Sequence, residues 1–357
     1  MTPQPPLAGL SNPRISVVVC NYNYERYVRQ TIDSVLQQTY PPLEVIVVDD
    51  GSSDGSLAVI HGYEAQGIKV IAQANGGQIA AYNAGFEQAR GDVVLFLDSD
   101  DALLPGALAE IATHFGEGVA KVHFRLELIG PNGEQIGATI PHELAQGEVA
   151  TVFLKHGVPH ASPPASGNAY RHSVLGKIFP LPADAQDRHG ADFFCIFGAT
   201  LFGTVSACQS TLGLYRIHRL PSAESSFTFG NAAKGLSLDK RLQARIERFG
   251  RWIAERSQGT IQAPTTLLDF SNEKSAYAST ALAGKGWWTD TRATLARLPR
   301  LVRSIVVRND YSVFKKAGLI AWSLVVLLAP RNLATKAARY VCDPGSRGPA
   351  RRQGVMR

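Results

Sequence analysis

The sequence predicts an α/β fold in which a mostly parallel, open sheet carries helices on both faces and a helical extension follows. Three observations predict it. Strand and helix patterns alternate four times within the first 110 residues, the strand segments are nearly continuous apolar runs, and 45% hydrophobic against 18% charged residues allow a sizeable core. Because parallel strands need crossover connections, this alternation predicts parallel pairing.

The elements of the sheet follow one another at crossover spacing. The predicted strands are the apolar, β-branched runs Ile15–Cys20, Glu44–Val48, Lys69–Ala72 and Asp92–Leu97. The predicted helices between them are Tyr24–Gln38, Ser56–Gln66 and Gln78–Arg90. From about residue 120 to 225 the pattern loosens into short strands and loops, and helical patterns return at Leu236–Glu255, Leu267–Leu282 and 290–340.

The 357 residues, four widely spaced cysteines and net charge of +6 exclude several classes of protein. With no CxxC pair, the cysteines indicate neither a zinc ribbon nor a disulfide framework, and they suit a reducing compartment. No signal peptide is visible, and the longest apolar run, Ala317–Ala329, is too short to span a bilayer. From Asp290 onward 14 Lys and Arg stand against three Asp, so the positive charge belongs to the C-terminal part.

Two acidic clusters follow strands of the predicted sheet, at the edge where open α/β sheets bind ligands. Asp98-Ser99-Asp100 follows the fourth strand, and because alternate strand residues point the same way, both carboxylates can converge on one divalent cation. Asp49-Asp50-Gly51-Ser52 follows the second strand, where a carboxylate can bind a ribose or a base. Each cluster alone is also typical of a solvated turn. No G-x-G-x-x-G follows the first strand and no P-loop is present, which disfavours hydride transfer and ordinary ATP hydrolysis.

Together the two strand ends carry a family resemblance. The segments ISVVVCNYNYERYVRQTIDSVLQQTYPPLEVIVVDDGSSDGS and ANGGQIAAYNAGFEQARGDVVLFLDSDD resemble the nucleotide-sugar-binding half of the family-2 glycosyltransferases, which have the GT-A fold. The likeness is dense across residues 15–110, thinner to about 220 and lost after about 230. It implies an inverting, metal-dependent transfer of a sugar from a nucleoside diphosphate to a glycan or lipid-linked acceptor, as in cell-surface polysaccharide synthesis.

The resemblance implies a donor site made of the following residues. Cys20, Tyr22 and Asp50 line the nucleoside pocket, with Asp50 facing the base and Asp49 beside it. Asn75, Gly76 and Gly77 precede the helix that carries Asn83, and this segment borders the donor sugar and the ribose. Asp98, Ser99 and Asp100 form the DXD element, in which Asp98 and Asp100 hold Mn²⁺ or Mg²⁺. The expected donor nucleotide is UDP or dTDP, with GDP as the alternative.

The resemblance also implies where the acceptor is activated. The family carries its catalytic carboxylate before an apolar helix, here Phe193–Phe202, which indicates Asp192 as the general base. The alternatives are that Asp192 is an ordinary helix N-cap, or that Asp187 or Asp184 is the base. Leu214–His218 resembles the family's Tyr-Arg-x-His element, so Arg216 or His218 is expected to contact the diphosphate or the metal, with a purely structural role as the alternative.

Composition and resemblance together divide the chain. We expect a flexible leader at 1–13, a GT-A catalytic domain at 14–230 with a nucleotide-sugar half (14–118) and an acceptor half (119–230), a basic helical extension at 231–342 and a disordered tail at 343–357. A non-catalytic sugar- or nucleotide-binding module and a nucleotidyltransferase are the alternatives to a glycosyltransferase. The first predicts a damaged acidic set and the second a Gly-rich, basic first loop, and the sequence has neither.

The basic extension has two interpretations. Its apolar segment, within residues 314–340, either lies in the plane of an anionic membrane surface or packs as a buried helix on the catalytic domain. Nucleic acid is not an expected partner, because aromatic side chains are sparse in this region. The sequence predicts a cytoplasmic enzyme, which under the first interpretation is peripheral on the inner face of the cell membrane.

Overall fold

The computed structural model describes residues 7–183, 188–218, 238–283, 290–308 and 311–342. Its strands are β1 (Ile15–Asn21), β2 (Glu44–Asp49), β3 (Lys69–Ala72), β4 (Val93–Asp98), β5 (Ala102–Leu103), β6 (Val119–Ile129), β7 (Gln135–Ile140), β8 (Asn168–Arg171) and β9 (Thr204–Arg216). Its helices are α1 (Glu25–Leu36), α2 (Ser56–His61), α3 (Gln78–Gln88), α4 (Ala107–Thr113), α5 (Ala150–His156), α6 (His172–Ile178), α7 (Ala191–Ala199), α8 (Leu238–Arg256), α9 (Phe270–Leu282), α10 (Thr291–Val306), α11 (Val313–Leu328) and α12 (Arg331–Cys342).

The strands described here form one mixed sheet, in the order β3-β2-β1-β4-β8-β6-β9-β5, with β7 also paired to β6. In the first four strands every pairing is parallel, as predicted, because α1, α2 and α3 supply the crossovers. In the second half only β6 and β9 are parallel. β8 runs antiparallel to β4 and β6, and β5 and β7 pair antiparallel with β9 and β6. The expected parallel character therefore holds for the donor half, and the sheet as a whole is mixed.

Two apolar layers cover the sheet, one on each face, as expected for a doubly covered parallel sheet. On one face, α1, α2 and α4 pack against residues such as Val17 and Val19 of β1. On the other face, α3, α6, α7 and α8 pack against the alternate residue Val18. The period-2 alternation of a strand thus sends neighbouring valines into different cores.

The C-terminal helices divide between two environments. α8 packs on the catalytic sheet, with Phe249 and Trp252 against Phe194 of α7. Helices α9 to α12 share a separate apolar cluster, in which Tyr277 and Trp322 are buried. The extension is helical as expected, and its last four helices form a bundle with a core of their own.

The second half of the expected flexible leader is held to the sheet domain. The amide of Leu10 donates to the carbonyl of Phe115 at 2.8 Å, and the amide of Gly118 donates to the carbonyl of Leu7 at 2.7 Å. Leu7 and Leu10 also pack against the two cores of the sheet. Residues 7–13 are therefore ordered against the domain, because their apolar side chains find a place on it, and this corrects the expectation for that part of the leader.

Candidate functional site

Both acidic clusters lie at the centre of one sheet edge. β1 runs between β2 and β4, with Asn21 paired to Asp49 and Cys20 paired to Asp98. The carboxyl ends of the three strands are therefore adjacent, although the clusters are far apart in sequence. This is the edge at which open α/β sheets bind ligands.

Asp49 is committed to the turn that follows β2. It is 1% exposed, and its Oδ1 accepts hydrogen bonds from Asn21 Nδ2 at 2.7 Å and from Ser52 Oγ at 2.6 Å. Its Oδ2 accepts from the amide of Ser52 at 3.0 Å. These bonds join the ends of β1 and β2, so Asp49 shapes the pocket beside Asp50.

Asp50 holds the loop that leads into α3. Its Oδ1 accepts from Gln73 Nε2 at 2.7 Å and from the amide of Gly76 at 2.8 Å, and its Oδ2 accepts from the amide of Gly77 at 2.7 Å. Gly77 has φ +85°, and a Cβ there would lie 2.6 Å from the carbonyl oxygen of Arg188. A side chain at 77 is therefore excluded twice, by backbone conformation and by space. The structure brings Asp50 and the Asn75–Gly77 segment together, as the resemblance implied.

Arg188 and Gln78 tie this loop to the start of α7. Arg188 donates to the carbonyl of Gly76 at 3.2 Å and to Asn75, and its own carbonyl accepts from the amide of Ile79 at 3.3 Å. Gln78 Oε1 accepts from the amides of Gly190 at 2.9 Å and Ala191 at 3.1 Å. Neither residue was a predicted site residue, because the partners of each lie more than 100 positions away and leave no local pattern.

The acidic turn after β4 contains three carboxylates with different environments. Asp101 is structural: Ser166 Oγ donates to its Oδ2 at 2.6 Å and the amide of Arg216 donates to its Oδ1 at 2.9 Å. Asp100 is 5% exposed, and its Oδ2 lies 2.6 Å from His218 Nε2. For Asp98 the described residues show no donor to the side-chain oxygens, although its amide donates to Ser166 Oγ at 3.1 Å. Sequence reasoning missed Asp101, which follows the predicted DXD element directly.

Electrostatic crowding marks this turn. Burial, together with the nearby charges of Asp100 and Asp192, raises the pKa of Asp98 to about 8. Burial and the same acidic neighbours, Asp100 and Asp98, also raise the pKa of Asp101 well above its ordinary value. Carboxylates are packed together here without a balancing Lys or Arg on Asp98. Two carboxylates and an imidazole are a ligand set that suits Mn²⁺, and Mg²⁺ suits the carboxylates, so the residues fit the cation that the fold implies.

His218 sits among aromatic rings beside Asp100. Its ring stacks on Tyr24 with centroids 5.5 Å apart, and it meets Tyr27 at 5.6 Å. Burial raises the pKa of the Tyr24 hydroxyl, with the charge of Asp100 as the next cause, so this hydroxyl stays protonated. The structure thus places His218 where the sequence expects a metal or diphosphate contact, and it adds Tyr24, which was not predicted.

Arg216 and Asn83 are both held by hydrogen bonds to the backbone of the chain itself. The Arg216 guanidinium is buried, donates to the carbonyls of Asp100 at 2.9 Å and Gly130 at 3.1 Å, and stacks over the Tyr27 ring at 4.5 Å. The guanidinium therefore supports the backbone of the acidic turn after β4. For Arg216 to contact a diphosphate, it would have to give up its hydrogen bonds to these carbonyls. Asn83 pairs with both backbone groups of Leu181, at 3.0 and 2.7 Å, so it fixes the segment before α7 instead of facing a donor sugar.

Cys20, Tyr22 and Ser99 frame the pocket between the two clusters. Burial, with Asp98 and Asp50 nearby, raises the pKa of the Cys20 thiol well above its ordinary value, so it is a neutral lining group. Tyr22 is 48% exposed and thus available to a ligand. Ser99 Oγ is buried and has no hydrogen-bond partner within the described ranges, while its amide donates to the carbonyl of Cys20 at 3.3 Å.

Asp192 stands in the first turn of α7, whose N-cap is Gly190 at φ +91°. Its Oδ1 accepts from the amide of Phe193 at 2.8 Å, and its charge reaches Asp98. It therefore faces the same cleft as the turn after β4. The alternative bases Asp184 and Asp187 lie outside the described residues, so the structure bears on Asp192 alone.

An acidic pair at the carboxyl edge of an open α/β sheet, next to a second acidic turn with a glycine loop, is the arrangement expected of a transferase with the GT-A fold. The family model described as "Glycosyl transferase family 2" matches residues 16–179. An uncharacterized glycosyltransferase of Nostoc sp. (strain PCC 7120 / SAG 25.82 / UTEX 2576) is 41% identical over 246 residues, which are 67% of this chain and 74% of that one. The chain belongs to glycosyltransferase family 2, and it is a glycosyltransferase.

Two further known proteins are similar over different extents. The chondroitin synthase of Pasteurella multocida (strain Pm70) is 31% identical over 150 residues, 40% of this chain but 15% of its own length. The crystal structure of Staphylococcus aureus TarS 1-349 in complex with UDP-GlcNAc superposes with a TM-score of 0.50 at 19% identity, over 93% of this chain and 89% of that one. At this identity the likeness to TarS concerns the fold alone, and it confirms the α/β GT-A architecture.

Proposed function

We propose that this chain is an inverting, metal-dependent glycosyltransferase whose donor is a nucleoside-diphosphate sugar and whose acceptor is a glycan or a lipid-linked saccharide. The observation that carries the proposal is the placement of Asp98 and Asp100 at the end of β4, where Asp100 lies 2.6 Å from His218 Nε2 and the charges of Asp100 and Asp192 both act on Asp98. The P. multocida relative is named as a synthase of a polysaccharide, which supports a role in building cell-surface glycans. Family membership favours this function over nucleotidyl transfer and over a non-catalytic module.

In this proposal the nucleoside lies at the ends of β1 and β2. Two of the partners of Asp50 are the amides of Gly76 and Gly77, and exchanging one of these amides for a base N–H would leave its charge satisfied. Tyr22 is exposed beside it for stacking. UDP or dTDP is the favoured nucleotide and GDP the alternative, and the UDP-GlcNAc complex of TarS, which shares the fold, supports the uridine donor.

Around the diphosphate, Asp98 and Asp100 would hold Mn²⁺ or Mg²⁺, with His218 as a further ligand. The bound cation supplies Lewis-acid stabilisation of the charge that develops on the leaving diphosphate. The chain's own residues would hold the two carboxylates in position. Arg216 donates to the carbonyl of Asp100 and Ser166 accepts from the amide of Asp98, so both bonds fix the backbone of the turn.

On the acceptor side, Asp192 would take the proton of the attacking hydroxyl. The acceptor oxygen forms a bond to the anomeric carbon as the bond from that carbon to the diphosphate oxygen breaks, so the configuration inverts. The proton moves to a carboxylate oxygen of Asp192, and the electron pair leaves on the diphosphate. A positioned general base contributes about 10²–10⁴-fold to such a step.

The first test is thermal-shift binding of nucleoside diphosphates with and without Mn²⁺. A nucleotide at about 100 times its Kd should add about 2.7 kcal/mol of stability, and the shift should need Mn²⁺ and vanish in Asp100→Ala. The same panel names the donor base. A folded protein that no nucleotide stabilises would refute the donor site.

A second test distinguishes a catalytic role of Asp192 from a purely structural role in the first turn of α7. Asp192→Asn should bind nucleotide normally and lose about 10²–10⁴-fold in kcat. The matched control is Asp290→Asn, because Asp290 caps α10 by accepting from the amide of Ala293 and lies in the C-terminal bundle. Full activity of Asp192→Asn would exclude this residue as the base.

A further inference from the structure

Helix α11 exposes an apolar face along its whole length. Phe314 is 90% exposed, Val313 79% and Leu328 62%, which is unusual for side chains of this size in a folded protein. Besides Val313, the exposed residues of the helix recur every three or four positions and therefore share one face: Phe314, Ala317, Gly318, Ala321, Leu324, Val325 and Leu328. We call these seven residues the α11 stripe. None of them carries a charge or a polar side chain.

The opposite face of α11 is locked into the C-terminal bundle. Trp322, Val326 and Leu327 are buried in its core. Trp322 Nε1 donates to the carbonyl of Ala337 at 2.8 Å, and Tyr277 Oη donates to the carbonyl of Ser323 at 2.8 Å. Because these contacts fix the rotation of the helix, the stripe cannot turn inward without dismantling the bundle.

Basic residues flank the stripe along the chain. No Asp or Glu occurs between residues 311 and 342, whereas five basic residues do: Lys315, Lys316, Arg331, Lys336 and Arg339. On α12, the exposed side chains of Leu333, Lys336 and Tyr340 lie three and four residues apart and so share a face. An apolar surface edged by cations and an exposed tyrosine is the pattern of segments that lie in a membrane interface.

We propose that the α11 stripe and the exposed face of α12 dock the protein on the surface of an anionic lipid bilayer. The helix would lie in the interface, because 16 residues extend only about 24 Å, less than the roughly 30 Å hydrocarbon core. In agreement, none of the helices in the described ranges is long and apolar enough to cross a membrane.

A second copy of the chain is the competing occupant, and charge argues against it. A two-fold dimer through the stripe would place the same surface of both copies face to face, so residues 311–342, a segment with basic residues and no Asp or Glu, would meet the same segment of the other copy. Anionic headgroups provide the opposite charge, and each Lys or Arg near such a surface adds to binding. The lipid surface therefore satisfies both the apolar and the charged parts of the patch.

In the described part of the chain, an ion pair joins the start of α11 to the sheet domain. Lys315, in the first turn of α11, forms an ion pair with Glu143, which follows β7. A bilayer at the stripe would thus lie near the second half of the sheet. The docking proposal uses no part of the donor site and does not rest on the proposed reaction.

The test is co-sedimentation of the full chain with phosphatidylcholine vesicles, with and without phosphatidylglycerol, at low and high salt. The parent protein should bind the anionic vesicles and lose binding as salt rises. The double variant Phe314→Ser/Leu328→Ser should reduce the partition coefficient about tenfold or more, since two large apolar side chains leave the lipid. Lys336→Glu should weaken binding to anionic vesicles only.

Leu43→Ser is the matched control, because Leu43 is a 45% exposed leucine before β2, outside the bundle. It should bind vesicles as the parent does, and so should Asp100→Asn, whose site is the donor pocket. Circular dichroism should show all variants folded. Absence of parent binding to anionic vesicles at low salt, or equal loss in Leu43→Ser, would overturn the proposal. A concentration-dependent dimer that the stripe variant abolishes, without vesicle binding, would assign the face to a second copy instead.

Discussion

The turn after β2 and the turn after β4 occupy neighbouring strand ends, yet their carboxylates have opposite environments. Asp49 and Asp50 together accept six hydrogen bonds from the chain itself. Asp98 has no such donor within the described ranges, and burial with two acidic neighbours raises its pKa to about 8. The carboxylates of the first turn are satisfied by the chain itself, whereas in the second turn burial and acidic neighbours favour the protonated form of Asp98. Two similar acidic sequences therefore give a turn held by its own hydrogen bonds in one place and a turn of crowded carboxylates in the other.

The largest expected difference between the turns is in catalysis. Asp100→Asn should lower kcat/KM by about 10²–10³-fold or more, because the aligned charge that stabilises the leaving group is lost. It should leave unfolding by urea unchanged or slightly shifted to higher urea, since the amide can keep the contact with His218 while one repulsive charge disappears. A stable Asp100→Asn variant with full activity in Mn²⁺ would contradict a catalytic role for the turn after β4.

The next effect is on stability, in the turn after β2. Asp49→Asn should lower the free energy of unfolding by about 1–3 kcal/mol, because the amide cannot accept from all three buried donors. Asp54→Asn, in the same loop but exposed, should cost less than half as much. Urea denaturation measures both, and an equal cost would show that Asp49 is no more structural than its neighbour.

The two turns should also differ in their response to pH. With the pKa of Asp98 raised to about 8, the folded protein holds a proton that the unfolded chain releases near pH 4. Stability in EDTA should therefore fall as pH rises from about 4 to 8, by at most about 1.4 kcal/mol per pH unit from this group. Asp98→Asn should flatten that part of the profile, and identical slopes for parent and variant would contradict the raised pKa.

The smallest expected effect concerns the support of the second turn. Ser166→Ala should cost about 1 kcal/mol, because its hydroxyl bridges the amide of Asp98 and the carboxylate of Asp101. Activity should fall modestly and in proportion to the looser placement of Asp98. Unchanged stability with lost activity would indicate instead that Ser166 contacts a ligand.

The sequence predicts the first half of the fold well, because β1 to β4 are apolar runs separated by amphipathic helices. The second half resists prediction for a physical reason. β8 is only four residues long and inserts between β4 and β6, and β9 pairs with β6 through shifts in register. Such pairings depend on strands that are distant in sequence, so no local period reveals them.

The site shows the same division. Asp98, Asp100 and His218 were found from motif and resemblance, and the structure brings Asp100 and His218 together. The motif and the resemblance could not show that the Arg216 guanidinium is buried in the protein, because the carbonyls that it binds belong to other loops. The segment Ser166–Arg171 is likewise buried, and Asn168 and Arg171 hydrogen-bond to backbone carbonyls.

The bonds of Gln78 and Arg188 to their distant partners have a consequence for how such an enzyme can change. One stretch of backbone, 188–191, anchors both the glycine loop near Asp50 and the first turn of α7. A substitution that reshapes one of these surfaces therefore displaces the other. If substitutions in this loop changed the preferred donor during evolution, they would also displace residue 192 and require compensating changes there. The preferences for donor and for acceptor would therefore evolve together.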